Sequence, residues 1–210
     1  MNRLVSLHAG GKRELWQSIG LSFTDHSCLL ADVELVLEDG DPQLSGWTFT
    51  GHSASRTAID GIATSVVDVA PPTSHHSSIG AQKIVGVDHV VVTTDNLDRT
   101  CAAIESVLQV PVRREREVGN GVFQRFHKLD NTIIEVVSGP HVKHTGSVLW
   151  GLVVSVDDLF DLAETLGDSI TSPPKKAVQP GRYISTIRAS VGLGVAVAMM
   201  TPHVPGMPTQ

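Results

Sequence analysis

Aromatic side chains are scarce in this chain of 210 residues: five Phe, three Trp and one Tyr, 4% in all. So few rings leave no platform on which nucleic-acid bases could stack. Charged residues are also sparse, at 18%, and their balance is acidic, with 16 Lys and Arg against 22 Asp and Glu and a formal net charge of −6. A phosphate backbone asks for the opposite sign, so no nucleic-acid partner is expected. Cysteine is nearly absent. Cys28 and Cys101 form no CxxC pair and no disulfide framework, which suits a reduced, cytoplasmic protein. No apolar run precedes Lys12, Arg13 and Glu14, which argues against a signal peptide. The uncharged stretch from Ala189 to Gln210 is broken by Gly192, Gly194, Pro202, Pro205, Gly206 and Pro208. Its apolar centre, Val195 to Met200, has the length of a strand, so the stretch reads as a buried strand with a loose tail over 204–210, and no membrane partner is expected. Nucleophile motifs are missing too: no serine lies in a GxSxG context, and Gly10-Gly11-Lys12 lacks the spacing of a phosphate loop. What remains is an apolar fraction of 41%, enough to build a real core.

The clearest seam is Ala70 to Gln82 (APPTSHHSSIGAQ), which carries two prolines and three serines but no charge. It reads as a linker over 71–82, separating an N-terminal segment, 1–70, from a larger block, 83–203. His75 and His76 sit on this linker and are expected to be solvated. The larger block repeats itself. Ile84 to Val92 is a β-branched run, followed by a helical pattern whose face is Leu97, Cys101, Ile104 and Leu108, with Asp95 or Asn96 as its N-cap. Val122 to Leu129, the turn pair Asp130-Asn131, and Thr132 to Val137 read as a β-hairpin. Sliding forward 62 residues lays WGLVVSVDDLFDLAETLG, from Trp150, over DHVVVTTDNLDRTCAAIE, from Asp88. The same offset sets Ile133, Glu135 and Val137 on Val195, Val197 and Met199. The block is therefore two β-α-β-β-β units, 84–140 and 147–202. In the N-terminal segment, Leu4 to Leu7, Cys28 to Leu37 and Ser45 to Thr50 read as strands and Lys12 to Ile19 as a short helix. Together they suggest one degenerate module packed on the main pair.

His89 alternates with Val87 and Val91 on one strand face, and Glu135 with Ile133 and Val137 on another. A carboxylate in so apolar a strand is costly unless paired or coordinated. Imidazole plus carboxylate is half of a site for zinc, iron, manganese or nickel. The two-residue turn sets Phe126 across from Glu135 and Gln124 across from Val137, so Gln124 points to the same side as Glu135, while His127 points to the opposite side.

The DHVVV opening at Asp88, the IIEVV close at Val137 and the paired βαβββ repeat resemble the vicinal oxygen chelate superfamily. That group includes glyoxalase I, the bleomycin resistance proteins and the extradiol dioxygenases. The resemblance spans Ile84 to Pro202 and implies an α+β fold in which paired βαβββ modules form a glyoxalase-like cup. It further implies a divalent metal held by the first and last strands of each unit, with His89 and Glu135 as ligands here and Glu135 as the group that moves a proton. The second unit departs from that pattern, with Gly151 and Val197 at the two ligand positions. A third ligand would come from Gln124, from His141 or His144, or from a second subunit of a homodimer. Alternatively His89 and Glu135 bond each other in a cup that holds no metal. Phe126 and Gln124 would then line a ligand site. Arg182, in the turn Gln179-Pro180-Gly181-Arg182, would either grip an acidic group at the mouth or stand in solvent. Two functions compete: a metal-dependent lyase or isomerase of a small oxygenated substrate, and a metal-free small-molecule-binding protein of the bleomycin-resistance type. An iron oxygenase ranks below both, because only one histidine is available in the module strands.

Overall fold

The computed structural model describes residues 2–51, 55–68, 78–79 and 82–203. The chain runs β1 (Leu4–Gly10), α1 (Arg13–Ser18), β2 (Ser27–Leu30), β3 (Val33–Glu38), β4 (Leu44–Thr50), β5 (Ser55–Ile59), β6 (Ile62–Val67), β7 (Ser78–Ile79) and β8 (Gln82–Thr94). There follow α2 (Leu97–Leu108), β9 (Val112–Gly119), β10 (Val122–Lys128), β11 (Ile133–Ser138) and β12 (Ser147–Val156), then α3 (Leu159–Leu166), β13 (Lys175–Lys176), β14 (Tyr183–Thr186) and β15 (Ala196–Met200).

The two expected units share one sheet, ordered β13-β14-β15-β12-β8-β11-β10-β9. Within each, the first and last strands pair in parallel, β8 with β11 and β12 with β15, and the units join through the antiparallel pair β8 and β12. Both helices start one residue after an Asx cap. Asn96 accepts a hydrogen bond from the Arg99 amide at 3.0 Å, and Asp158 accepts from the amides of Phe160 and Asp161 at 3.1 Å. The α2 face of Cys101, Ile104 and Leu108 is buried as its spacing requires. The hairpin has the expected register, with Phe126 opposite Glu135 and Gln124 opposite Val137.

The N-terminal segment builds a second sheet, ordered β2-β3-β1-β4-β6-β5. It carries the module pattern twice, in abbreviated form. β1 pairs with β3 in parallel, β4 pairs with β6 in parallel, and the halves meet at the antiparallel pair β1 and β4. Each half is one strand short of a full unit, and the second has no helix among the described residues. The stretch from Cys28 to Leu37, which alternates like one strand, is two. It folds back at Ala31 (φ 60°) and Asp32, where neither Gly nor Asn-Gly announces a turn. One continuous core holds both sheets together, with Trp16, Trp47 and Phe49 fully buried alongside Ile84, Val90, Ile134 and Val154. Each such side chain contributes about 1.5–3 kcal/mol by leaving water. The hairpin turn is clipped to the N-terminal sheet, since Asn131 accepts from the Leu4 amide at 3.0 Å and donates to the Leu4 carbonyl at 2.9 Å.

Of the expected linker, 71–77 and 80–81, with His75 and His76, lie outside the described residues, as does the expected tail, 204–210. Its Ser78–Ile79 pairs with Gln82 and Lys83, and Ile79 is buried and bridges to Leu21. Among the described residues no helix is long and apolar enough to cross a membrane.

Candidate functional site: a polar chain across the cup

Strand alternation turns His89, Val91 and Thr93 of β8 toward a cavity of about 430 Å³, while Val90 and Val92 face the core. On β11, Glu135 and Val137 face the same cavity and Ile134 and Val136 the core. The parallel register sets Glu135 opposite Val91, one inward position beyond His89. That stagger leaves His89 Nε2 3.4 Å from Glu135 Oε2. From the neighbouring β10, Gln124 Nε2 donates to Glu135 Oε1 at 2.6 Å. The rest of the wall is mostly apolar, including Leu152, Val153, Val197 and Ala198, with Trp150 half exposed and His141 exposed beside the opening.

A fourth member was not legible in the sequence. The ladder between β8 and β12 slips between Val87 and His89, where Val154 and Val153 are consecutive partners, so Asp88 has no partner residue on β12. Such a bulge re-aims side chains. Asp88 Oδ1 lies 2.8 Å from His89 Nδ1, and Oδ2 accepts from an Nη2 proton of Arg182. The slip also removes Val87 from the cavity wall; it is buried in the core instead. Arg182 is 4% exposed, donates from Nε to the Thr201 carbonyl at 2.8 Å, and touches Ser155 Oγ at 3.2 Å. The result is a chain from Arg182 through Asp88, His89 and Glu135 to Gln124.

Its electrostatics differ at the two ends. Burial opposes ionisation of Asp88, but hydrogen bonds from His89 and Arg182, with their charges, more than offset it, and the carboxyl falls to about 2. Burial dominates at Glu135 and raises its carboxyl above the usual range, with His89 and Arg116 pulling the other way. An ionised Asp88 can only accept, so the network assigns an Nδ1 proton of His89 to this bond and leaves Nε2 facing Glu135. The arrangement can bind, donate or remove one proton at the cavity wall.

Of the sequence-derived candidates, His89, Glu135 and Gln124 come together. Phe126 and Arg182 are not among the residues lining this cavity, and Arg182 stands behind Asp88 rather than at the mouth or in solvent. His144 Nε2 is 3.0 Å from Thr93 Oγ1, and His127 is buried on the opposite face with Nδ1 bonded to the Val110 carbonyl. Val197 lines the cavity without a donor atom. At Gly151 an added Cβ would stand 2.3 Å from the Ala196 carbonyl oxygen, so no ligand side chain fits there. Among the described residues no group of three His, Cys, Asp or Glu side chains is disposed to hold a metal. Catalytic zinc takes three protein ligands, so the residues present do not fit a metal centre built from this chain alone.

A second His–Glu pair stands at the matching place in the N-terminal sheet. His8 is on its first strand, Glu38 is on the parallel partner and one inward position beyond, and His8 Nδ1 is 2.8 Å from Glu38 Oε1. This pair is open to water, with side-chain exposures of 29% and 48%. The uneven lengths of the N-terminal elements hid it from any fixed-offset comparison.

The two sheets and the paired units define the fold of the vicinal oxygen chelate superfamily. A mutant of 4-hydroxymandelate synthase from Streptomyces coelicolor superimposes with a TM-score of 0.67 at 12% identity, covering 98% of this chain and 94% of that one. The match therefore takes in the N-terminal sheet as well as the cup. Methylmalonyl-CoA epimerase from Mycobacterium tuberculosis matches 60% of this chain and 94% of its own, at 16% identity and a TM-score of 0.48. The Streptomyces coelicolor epimerase, in complex with 2-nitronate-propionyl-CoA, matches 58% and 99% at 15% identity and 0.47. No family model matches the sequence, and no curated protein matches it significantly.

Proposed function

We propose that this chain is a glyoxalase-like small-molecule-binding protein whose cup works without a metal. The observation that carries the reading is the closed polar set on the cavity wall. Glu135 is engaged by Gln124 and faces His89, His89 is engaged by Asp88, and among the described residues no three His, Cys, Asp or Glu side chains are disposed to hold a metal together. An apolar cavity with a few convergent polar groups suits a small oxygenated ligand, its carbon skeleton on Val137, Leu152 and Val153 and its oxygens on His89, Glu135 and Gln124. The metal-dependent lyase or isomerase that the family resemblance implies needs a donor that Gly151 and Val197 do not supply.

A second reading keeps catalysis without the metal. The raised Glu135 carboxyl beside an oriented imidazole favours proton transfer on a bound ligand, with Glu135 and His89 as donor and acceptor.

The test begins with metal analysis of purified protein and of the variants His89→Ala and Glu135→Ala. It continues with thermal-shift screening against small hydroxy and keto compounds. The expected outcome is metal far below one equivalent, with ligand-dependent stabilisation that Ala198→Phe, which fills the cavity, abolishes. Near-stoichiometric zinc, nickel, manganese or iron, lost in both variants, would overturn the metal-free reading.

A further inference from the structure

The concave face continues past His89. On β12, Val153 lines the cavity described above, and Ser155, two residues on and on the same face, lines another of about 400 Å³. On β11, Glu135 lines the first and Ile133 the second. Arg182 and Asp88 line this second basin and His89 lines the first, so the Arg182–Asp88–His89 chain runs from one to the other.

The distal basin has its own chemistry. Arg182 lines it, is buried to more than nine-tenths, and carries a fixed charge. Its Nε is bonded to Thr201 and its Nη2 to Asp88 and Ser155, while its Nη1 finds no partner among the described residues. A guanidinium presents donors in a planar fork, and an edge left open on a cavity wall is a site for an acceptor. The charges in the lining balance, Arg182 and Lys128 against Asp88 and Asp130, with His203 at the rim. With no net positive charge the lining disfavours a dianion, and the open donor edge of Arg182 matches a single carboxylate. Val85, Ile133, Pro180 and Pro202 provide an apolar surround for a short carbon chain.

We propose that the distal basin is a second binding site, specific for a small monocarboxylate, with the open guanidinium edge of Arg182 as its anchor. The assignment is independent of what the proximal basin does. An acceptor on Arg182 competes with Asp88 for the same cation, and Asp88 is what orients His89. Occupancy of the distal basin is therefore sensed at the His89 ring through two hydrogen bonds.

The experiment titrates the full chain with butanoate and, separately, with inorganic phosphate, and follows backbone amides, arginine side-chain nitrogens and histidine ring nitrogens by NMR. Butanoate is expected to saturate at ~1–10 mM, the affinity of one charge-assisted fork with little buried area. Its shifts should fall on Arg182, Ser155 and Thr132 and extend to the His89 ring. Phosphate should bind at least several-fold more weakly. Ile133→Trp, which fills the basin and leaves the Arg182–Asp88 pair intact, should weaken butanoate at least tenfold while the variant still unfolds cooperatively. Arg182→Lys, if folded by the same criterion, should weaken it comparably. Absence of saturable binding, shifts confined to Lys128, tighter binding of phosphate, or butanoate binding untouched by Ile133→Trp would each overturn the proposal.

Discussion

Replacing Asp88 by Asn keeps the volume and removes the charge that neutralises Arg182. In the native state the Asp88 carboxyl sits at about 2, against an ordinary value of 3.8. A depressed acid stabilises the fold above its unfolded pKa, and that contribution is lost as pH falls toward the folded value. The depression corresponds to roughly 2–3 kcal/mol at neutral pH, since each pKa unit is worth about 1.4 kcal/mol. The same lost pairing can be gauged from the other side, because Arg182, at 4% exposure, keeps a buried charge without its partner. Breaking a buried pair from one side costs about 3–5 kcal/mol. The substituted amide retains a carbonyl that can accept one bond from Arg182, so the expected loss is near the lower end of that range, about 3 kcal/mol. Urea unfolding of wild type and Asp88→Asn at a series of pH values measures it. The gap should be constant from pH 7 to about 4 and shrink between about 4 and 2, where the wild-type carboxyl becomes protonated and resembles the amide. Adding Arg182→Gln to Asp88→Asn should recover at least ~1 kcal/mol relative to the sum of the single effects, as expected for partners in one network. A gap below about 1 kcal/mol at pH 7, or one that stays constant down to about pH 2, would refute the reasoning.

Three further outcomes follow from the same geometry. Glu135 has a raised carboxyl, so its ionised form opposes folding, and wild-type stability is expected to fall as pH rises through the folded value. Glu135→Gln should therefore match or exceed wild type in thermal unfolding at pH 7 and show no gain at pH 4, while weakening any ligand held in the proximal basin. Gly151→His, the change that would restore a second-unit ligand by sequence alone, should destabilise by at least ~1–3 kcal/mol because its Cβ meets the Ala196 carbonyl, and zinc titration should show no gain in affinity. Asp158→Ala removes both hydrogen bonds that cap α3 and should cost about 1 kcal/mol in denaturant unfolding, leaving ligand binding in the cup unchanged.

The abbreviated units of the N-terminal sheet bear on how the chain is put together. The parallel pairing of first and last strands, the antiparallel seam between halves and a His–Glu pair one inward step apart all recur there. The Gly46–Ala63 pairing of β4 and β6 likewise matches the Gly151–Ala196 pairing of β12 and β15, and in both an added Cβ would meet the alanine carbonyl. Close strand approach at these two places uses the missing side chain.

Much of the cup was readable because it rests on short-range rules. The 62-residue repeat marks two copies of one unit, the Asx residues mark both helix starts, and a two-residue turn fixes the register that carries Gln124 to the side of Glu135. Strand period set His89 and Glu135 each on a face of its own strand, and the family resemblance brought the two to one site. The N-terminal duplication was hidden because its strands lack a constant offset and one turn, at Ala31, has no turn-forming residue. Asp88 and Arg182 were decided only by tertiary structure. A one-residue slip in a strand transfers side chains from one face to the other, and no local pattern announces where the slip falls. Here it falls at Asp88, withdraws Val87 into the core, and creates a buried acid that draws Arg182 from 94 residues away. The link between the two basins, Arg182 on Asp88 beside His89, exists only in that long-range packing.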